Sequence, residues 1–210
     1  MNNLKKPDLS FTKLIEALRP SAELVAPQKP GEPTAGVFVD NNAEFAKIFL
    51  LSEGYAHIRR RDDNLTMCTV FSPYIMGVSF YPGSRIYYSI ELGPNSCLYQ
   101  LSRIQAFNVV KREGLYREWM NALSYKLALL YERDRNVFRH NSEDIVSRML
   151  MRLMELPHEY RDHVSAIRFI EQRTTLSRSC IQRVLFDLKK KGYVNMENGR
   201  LVTINHLYCR

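Results

Sequence analysis

The chain lacks a C-x-x-C pair: its four cysteines, Cys68, Cys97, Cys180 and Cys209, stand far apart in 210 residues. That spacing excludes a zinc framework and a secreted disulfide scaffold. No apolar run reaches the ~18 residues of a membrane span. The N-terminus, MNNLKKPDLSFTKLIEAL, has no continuous apolar core of the kind a signal peptide carries. A reducing cytoplasm, with no membrane partner, is the expectation. The sequence also has no P-loop, no G-x-S-x-G, no zinc triad and no convincing carboxylate pair, so no catalytic residues are assigned and the chain is not read as an enzyme.

What is present is ordinary globular material with an uneven charge. Hydrophobic residues make up 45 % and charged residues 25 %, and the length suffices for one large or two modest domains. Net charge is +8. From Val164 to Arg210 nine Lys or Arg face three acids, so +6 of the excess sits in the last 47 residues. A positive footprint confined to one region is what nucleic-acid binding needs.

That same region carries the most informative pattern. Val164, Ile167, Phe169 and Ile170 recur at helical spacing and predict a short helix over 164–172. Thr174-Thr175-Leu176-Ser177 interrupts it, with Ser177 as N-cap of a second helix. In that helix Ile181, Val184, Leu185 and Leu188 form the buried stripe, while Arg178, Ser179, Gln182 and Arg183 face outward. Lys189-Lys190-Lys191 and Gly192 end it, placing cations at the negative end of the dipole and a glycine stop after them. Runs 193–196 and 200–204 flank Glu197-Asn198-Gly199, a hairpin signal. The order is that of a winged helix-turn-helix, which implies double-stranded DNA as partner. Arg178, Ser179, Gln182 and Arg183 are then the base-reading candidates. Arg173, Thr175, Ser177, Lys189, Lys190, Lys191 and Arg200 are assigned to phosphates. A lysine run alone would be read as a solvated face; the turn, cap and wing that accompany it shift the balance.

The remainder predicts an α+β chain. Residues 1–36 hold a short helix (8–18), ended by Pro20, and a Pro- and Gly-rich stretch read as loop or extended chain. Residues 37–108 have β texture, with short Val-, Ile-, Tyr-, Phe- and Thr-rich runs cut by turns such as Ser52-Glu53-Gly54. An antiparallel β-barrel or jelly roll is the expectation. Residues 109–137 form a long connecting helix, in which Tyr116, Trp119, Leu123, Leu127 and Leu130 make a heptad-like seam. That seam serves a homodimer or packs on the chain's own barrel; dimerisation is favoured because two-fold dimers suit paired half-sites on DNA. Residues 138–210 are the winged-helix domain, opened by a helix from Ser142 that Pro157 ends.

A long helix after a small β-barrel, followed by LSRSCIQRVLFDLKKKGYVNMENGRLVTI, resembles the cAMP receptor/FNR superfamily of transcription regulators, most of all its IprA-type (YaiV-like) subgroup of enteric bacteria. The resemblance covers about four-fifths of the chain. It implies a degenerate cyclic-nucleotide-binding-like domain, a regulator of peroxide resistance under oxidative stress, and Arg178, Ser179 and Arg183 at the base- and phosphate-contacting positions. It also leaves room for RNA polymerase and an unidentified small-molecule effector as partners. The family often has Glu where this chain has Ser179, so the family's usual target sequence does not carry over. A nucleotide pocket in this superfamily uses a Gly-Glu pair and a later Arg-Ser pair. Here the stretch reads Ile75-Met76-Gly77-Val78-Ser79-Phe80-Tyr81-Pro82-Gly83-Ser84-Arg85, with no Gly-Glu and the second pair reversed. No cAMP binding is expected. An iron–sulfur cluster would need about four clustered cysteines, so no cofactor is expected either.

Four weaker signals carry two readings each. His158-Glu159-Tyr160-Arg161-Asp162-His163 spaces its histidines five apart, which fits a polar loop better than a metal site, and no metal is assigned. Cys180, beside Arg178 and Arg183, is either a redox-active thiol or a small half-buried residue, and the second is preferred. Tyr74, Phe80, Tyr81, Tyr87 and Tyr88 either line a pocket or fill the barrel, and filling is preferred. The winged helix itself has a rival use, as a protein–protein interaction module with only non-specific DNA binding.

Overall fold

The computed structural model describes residues 4–25, 37–38, 47–79, 88–137 and 141–206, with backbone alone for 37–38 and 135–137. Two units divide the chain, Met1–Tyr131 and Glu132–Arg210.

The first unit opens with α1 (Asp8–Leu18), whose Phe11, Leu14, Ile15 and Leu18 are buried at the expected three-and-four spacing. Pro20 lies in a 3-10 turn over Arg19–Ser21 that ends the helix. Among the described residues eight strands follow: β1 (Glu23–Leu24), β2 (Val37–Phe38), β3 (Lys47–Glu53), β4 (Tyr55–Arg60), β5 (Thr66–Phe71), β6 (Tyr74–Met76), β7 (Tyr88–Leu92) and β8 (Cys97–Ser102). They form two antiparallel sheets, ordered β1-β8-β3-β6 and β2-β7-β4-β5. Each sheet pairs strands from the two ends of the series with strands from its middle, the double Greek-key order of a jelly roll. In β3, Ile48, Phe49, Leu50 and Leu51 are all buried, as expected of a strand covered on both faces. Helix α1 packs on β6, and α2 (Arg103–Arg112) packs on β3 and β8.

The strand β1 lies within the stretch read as loop or extended chain, where Leu24 pairs with Tyr99 at the sheet edge. One element differs from the sequence expectation. Helix α2 begins at Arg103, inside the region read as β, because Ser102 and Gln105 form a reciprocal capping box. Gly114, at φ +67°, separates α2 from α3 (Tyr116–Val137), so the long helix is preceded by a second, shorter one.

The second unit contains α4 (Ser142–Met154), capped by Asn141, then a one-turn α5 (His158–Arg161), α6 (Ala166–Glu171), α7 (Arg178–Lys190) and the hairpin β9 (Val194–Glu197) with β10 (Arg200–Ile204). Helices α4, α6 and α7 pack on one another, and the hairpin packs on α4 and α7. Val146, Leu150, Phe169, Ile170, Ile181 and Leu188 are at most 1 % exposed, so this small unit has an apolar centre of its own.

The turn between β3 and β4 is held by Ser96, whose Oγ accepts from the Tyr55 amide at 3.0 Å and donates to the Tyr55 carbonyl at 2.8 Å. Gly54 has φ +73°, and a Cβ there would lie 2.3 Å from Ser96 Oγ and 2.8 Å from Ser96 Cα. Gly54→Ala therefore combines left-handed backbone with a clash against the next turn. It is expected to destabilise the first unit by about 1–3 kcal/mol, read as a lower urea midpoint at unchanged slope.

Candidate nucleic-acid interface

The helix-turn-helix is built by caps and burial rather than by charge. Ser165 accepts from the Arg168 amide at 3.3 Å and starts α6. Thr174, buried in the turn, donates its hydroxyl to the Ile170 carbonyl at 3.0 Å and accepts from the Leu176 amide at 3.4 Å. Ser177 then caps α7, accepting from the Cys180 amide at 3.3 Å. Ile181, Val184, Leu185 and Leu188 are buried, so the opposite side of α7 is fixed outward. Its exposed residues are Arg178, Ser179, Gln182, Arg183, Phe186, Asp187, Lys189 and Lys190. All four base-reading candidates are thus on one open surface.

Arg178 does not project freely. Its guanidinium pairs with Glu171 of α6 at 3.3 Å, across the turn. Arg183 lies beside Cys180, with Nη2 4.0 Å from Sγ, and Cys180 itself is half-buried on the flank of the face. Lys191 pairs with Glu143 of α4 at 3.2 Å and sits 5.8 Å from the centre of the Tyr193 ring. Thr175, Ser177, Lys189, Lys190 and Arg200 are all exposed.

Arg173 requires a correction. It is 8 % exposed and turned into the protein, so it is withdrawn from the phosphate-contacting set. Its Nη1 donates to the Phe169 carbonyl at 3.1 Å, Nη2 reaches the Tyr160 hydroxyl at 3.4 Å, and its guanidinium lies 3.7 Å from the Phe169 ring centre. These contacts satisfy a buried cation with a carbonyl, a hydroxyl and a ring face. Arg173 thus secures the end of α6.

The wing is a two-residue hairpin in which Asn198 (φ +48°) and Gly199 (φ +77°) are both left-handed, as a type I′ turn requires. The Gly199 carbonyl accepts from the Ala166 amide at 2.9 Å. This bond fastens the wing tip to the start of α6. Arg200 follows at once and is exposed at the tip. The segment 158–163, read as a polar loop, begins with the one-turn α5, across which His158 Nδ1 lies 2.8 Å from Asp162 Oδ2.

In the first unit the seam of α3 needs a second correction. Trp119 is 7 % exposed and packs on Phe107 with ring centres 5.4 Å apart. It belongs to the inner face and is withdrawn from the dimer seam. Tyr116 and Leu127 are exposed, Leu123 and Leu130 half-buried. Met120 (56 % exposed) and Tyr131 (67 %) complete an outer apolar stripe that the sequence reading missed. Of the barrel aromatics, Tyr74 is buried and packs on Phe11 at 4.8 Å and Tyr125 at 6.4 Å. Burial pushes the Tyr88 hydroxyl up to about 12 and draws the Lys126 ammonium down. Lys126 donates to the Ser79 hydroxyl and stands 5.4 Å from the Tyr88 ring centre. Phe80, Tyr81 and Tyr87, the Pro82–Arg85 stretch and Cys209 lie outside the described residues.

Phe186 shares the exposed face of α7 with the base-reading candidates and was not singled out from the sequence. It is 67 % exposed. The signal was available: it lies three and four residues after Arg183 and Gln182, and so on their face.

Comparison with known proteins agrees with this geometry. Residues 142–208 match a family model described as winged helix-turn-helix DNA binding. Among solved structures, the c-di-GMP-responsive global regulator CLP of Xanthomonas campestris aligns with a TM-score of 0.72 at 16 % identity, covering 93 % of this chain and 100 % of that one. A CRP-family transcriptional regulator of Thermus thermophilus, TTHB099, aligns at 0.59 and 18 %, covering 87 % and 92 %. These likenesses establish the fold. The inhibitor of hydrogen peroxide resistance of Escherichia coli K12 is 31 % identical over 160 residues, 76 % of this chain and 77 % of that protein. The chain therefore belongs to the family of the inhibitor of hydrogen peroxide resistance, winged helix-turn-helix proteins with the cAMP receptor/FNR fold.

Proposed function

We propose that this chain is a dimeric, sequence-specific regulator of transcription, acting in peroxide resistance without binding cAMP. Its fold is that of DNA-binding transcription regulators. One observation carries the finer reading: Arg178, Ser179, Gln182 and Arg183 share the open side of a capped helix, with Lys189, Lys190 and the wing-tip Arg200 exposed around it. Arginine on such a helix bonds guanine edges, and the surrounding cations hold phosphates. Thr175 and Ser177, exposed at the turn, offer hydroxyls to the backbone, and Lys191 adds charge at the opposite end of α7. Cytoplasmic action, with RNA polymerase as a protein partner and a small-molecule effector in the first unit, completes the proposal.

The dimer is supported by the outer stripe of α3. Tyr116, Met120, Leu123, Leu127 and Tyr131 follow one another at spacings of four, three, four and four, which a second helix would cover. Absence of cAMP binding rests on the reversed Ser84-Arg85 pair and the missing Gly-Glu. The link to peroxide rests on the name of the Escherichia coli relative.

Selection of duplexes from a random library, followed by footprinting, tests the reading. Enrichment of a two-fold-symmetric site is the expected result; weak, sequence-blind, steeply salt-dependent binding would instead favour a protein–protein module. On the enriched site, Arg183→Ala is expected to cost about 1–3 kcal/mol and to relax preference at one base pair. Lys190→Ala should weaken all sequences alike and lower the slope of log affinity against log salt by about 1. Arg173→Ala provides the contrast: a lower melting temperature of the second unit, with the salt slope of the folded protein unchanged. For the dimer, Leu127→Glu should convert the sedimenting species to a monomer; an unchanged mass would refute the α3 seam.

A further inference from the structure

Phe186 is alone among the exposed residues of α7 in being apolar; Arg178, Ser179, Gln182, Arg183, Asp187, Lys189 and Lys190 are polar or charged. It is 67 % exposed, so the fold gains little from its ring. Its helical neighbours at four and three residues before and after are Gln182, Arg183, Lys189 and Lys190. Long helical side chains lean toward the preceding turn, so the ring covers the turn that carries Gln182 and Arg183. Phe186 lies eight residues from Arg178, about 12 Å along the axis, a distance close to the roughly 12 Å width of the major groove.

A ring flanked by Arg183, Lys189 and Lys190 on an exposed helix face suits a surface of apolar groups set between phosphates. In duplex DNA those groups are the C5 methyls of thymine, which project into the major groove and are met by apolar side chains. We infer that Phe186 is a specificity-determining residue that packs on thymine methyls, adding an apolar criterion to the hydrogen-bond readout by Arg183 and Gln182. The inference rests on the proposal that α7 reads DNA. Ser179 is short and offers only a hydroxyl, which leaves a base pair near it without a long side chain and makes room for an apolar contact from the same helix face.

Deoxyuridine tests this directly, since it removes the methyl and leaves base pairing intact. After a site has been selected from a random duplex library with the full-length protein, each thymine is replaced singly by deoxyuridine. Affinities are then measured for the wild type and for Phe186→Ala and Phe186→Leu, with circular dichroism to verify folding. At one or two positions per half-site, loss of the methyl is expected to weaken the wild type about fourfold, the factor carried by burying one methyl group. Phe186→Ala should bind the thymine and uracil probes alike, and Phe186→Leu should fall between. Methylating cytosine at C5 where cytosine replaces that thymine should recover part of the loss for the wild type only. Uracil substitution that is silent at every position, or that weakens wild type and Phe186→Ala equally, would overturn the inference and leave the DNA-reading proposal standing. Failure to enrich any sequence would overturn both.

Discussion

Burial of Ile181, Val184, Leu185 and Leu188 is the interaction on which the rest of the second unit depends. Each aliphatic side chain contributes about 1.5–3 kcal/mol when taken out of water, and together they fix the rotation of α7 about its own axis. A helix advances by about 100° per residue. Turning α7 by one position would lift part of the stripe into water and press a cation toward the interior, a double penalty. The outward face is therefore determined by the inward one. The caps from Ser165 and Ser177 and the Thr174 bond to Ile170 hold the two helices at the angle this packing needs. The Gly199–Ala166 bond ties the wing to the same frame.

This explains which features were legible in the sequence. The stripe, the Ser177 cap and the Asn198-Gly199 turn are local rules, each satisfied within a few residues, and all appear as expected. Arg173 was not legible. Its residue type says surface, yet the Phe169 carbonyl, the Phe169 ring and the Tyr160 hydroxyl meet it at the end of α6. Only one of those partners lies outside its own helical turn, and nothing in the sequence marks Tyr160 as near. Phe186 was the opposite case. The helical count placed it on the polar face, but a reading that sought cations and hydrogen-bond donors passed over an aromatic ring.

In the first unit the jelly-roll alternative was legible from alternating short strands and turns, but two of its joints were not. The strand β1 pairs through only two residues, too short to show a period. The start of α2 was signalled by Ser102-x-x-Gln105, but the preceding β8 and the branched Val109 and Val110 masked it. The α3 seam shows a general difficulty. Its helix has an inner apolar face containing Trp119 and Ala122 and an outer one containing Met120, Leu127 and Tyr131. A three-and-four spacing can be drawn through either, and the sequence alone does not say which side meets the sheets.

The ion pair between Glu171 and Arg178 joins the two helices of the helix-turn-helix at its exposed edge. While paired with Glu171 the Arg178 guanidinium is locally neutralised and draws phosphates less than a free cation would. On the proposed function, a chance encounter with the DNA backbone would leave the pair intact and gain nothing from that cation. Only a partner able to satisfy the Arg178 guanidinium better than Glu171 does can open it. On the proposed function, an acid within this basic surface would lower loose attachment more than correct attachment, exchanging affinity for a wider gap between the right duplex and all the others.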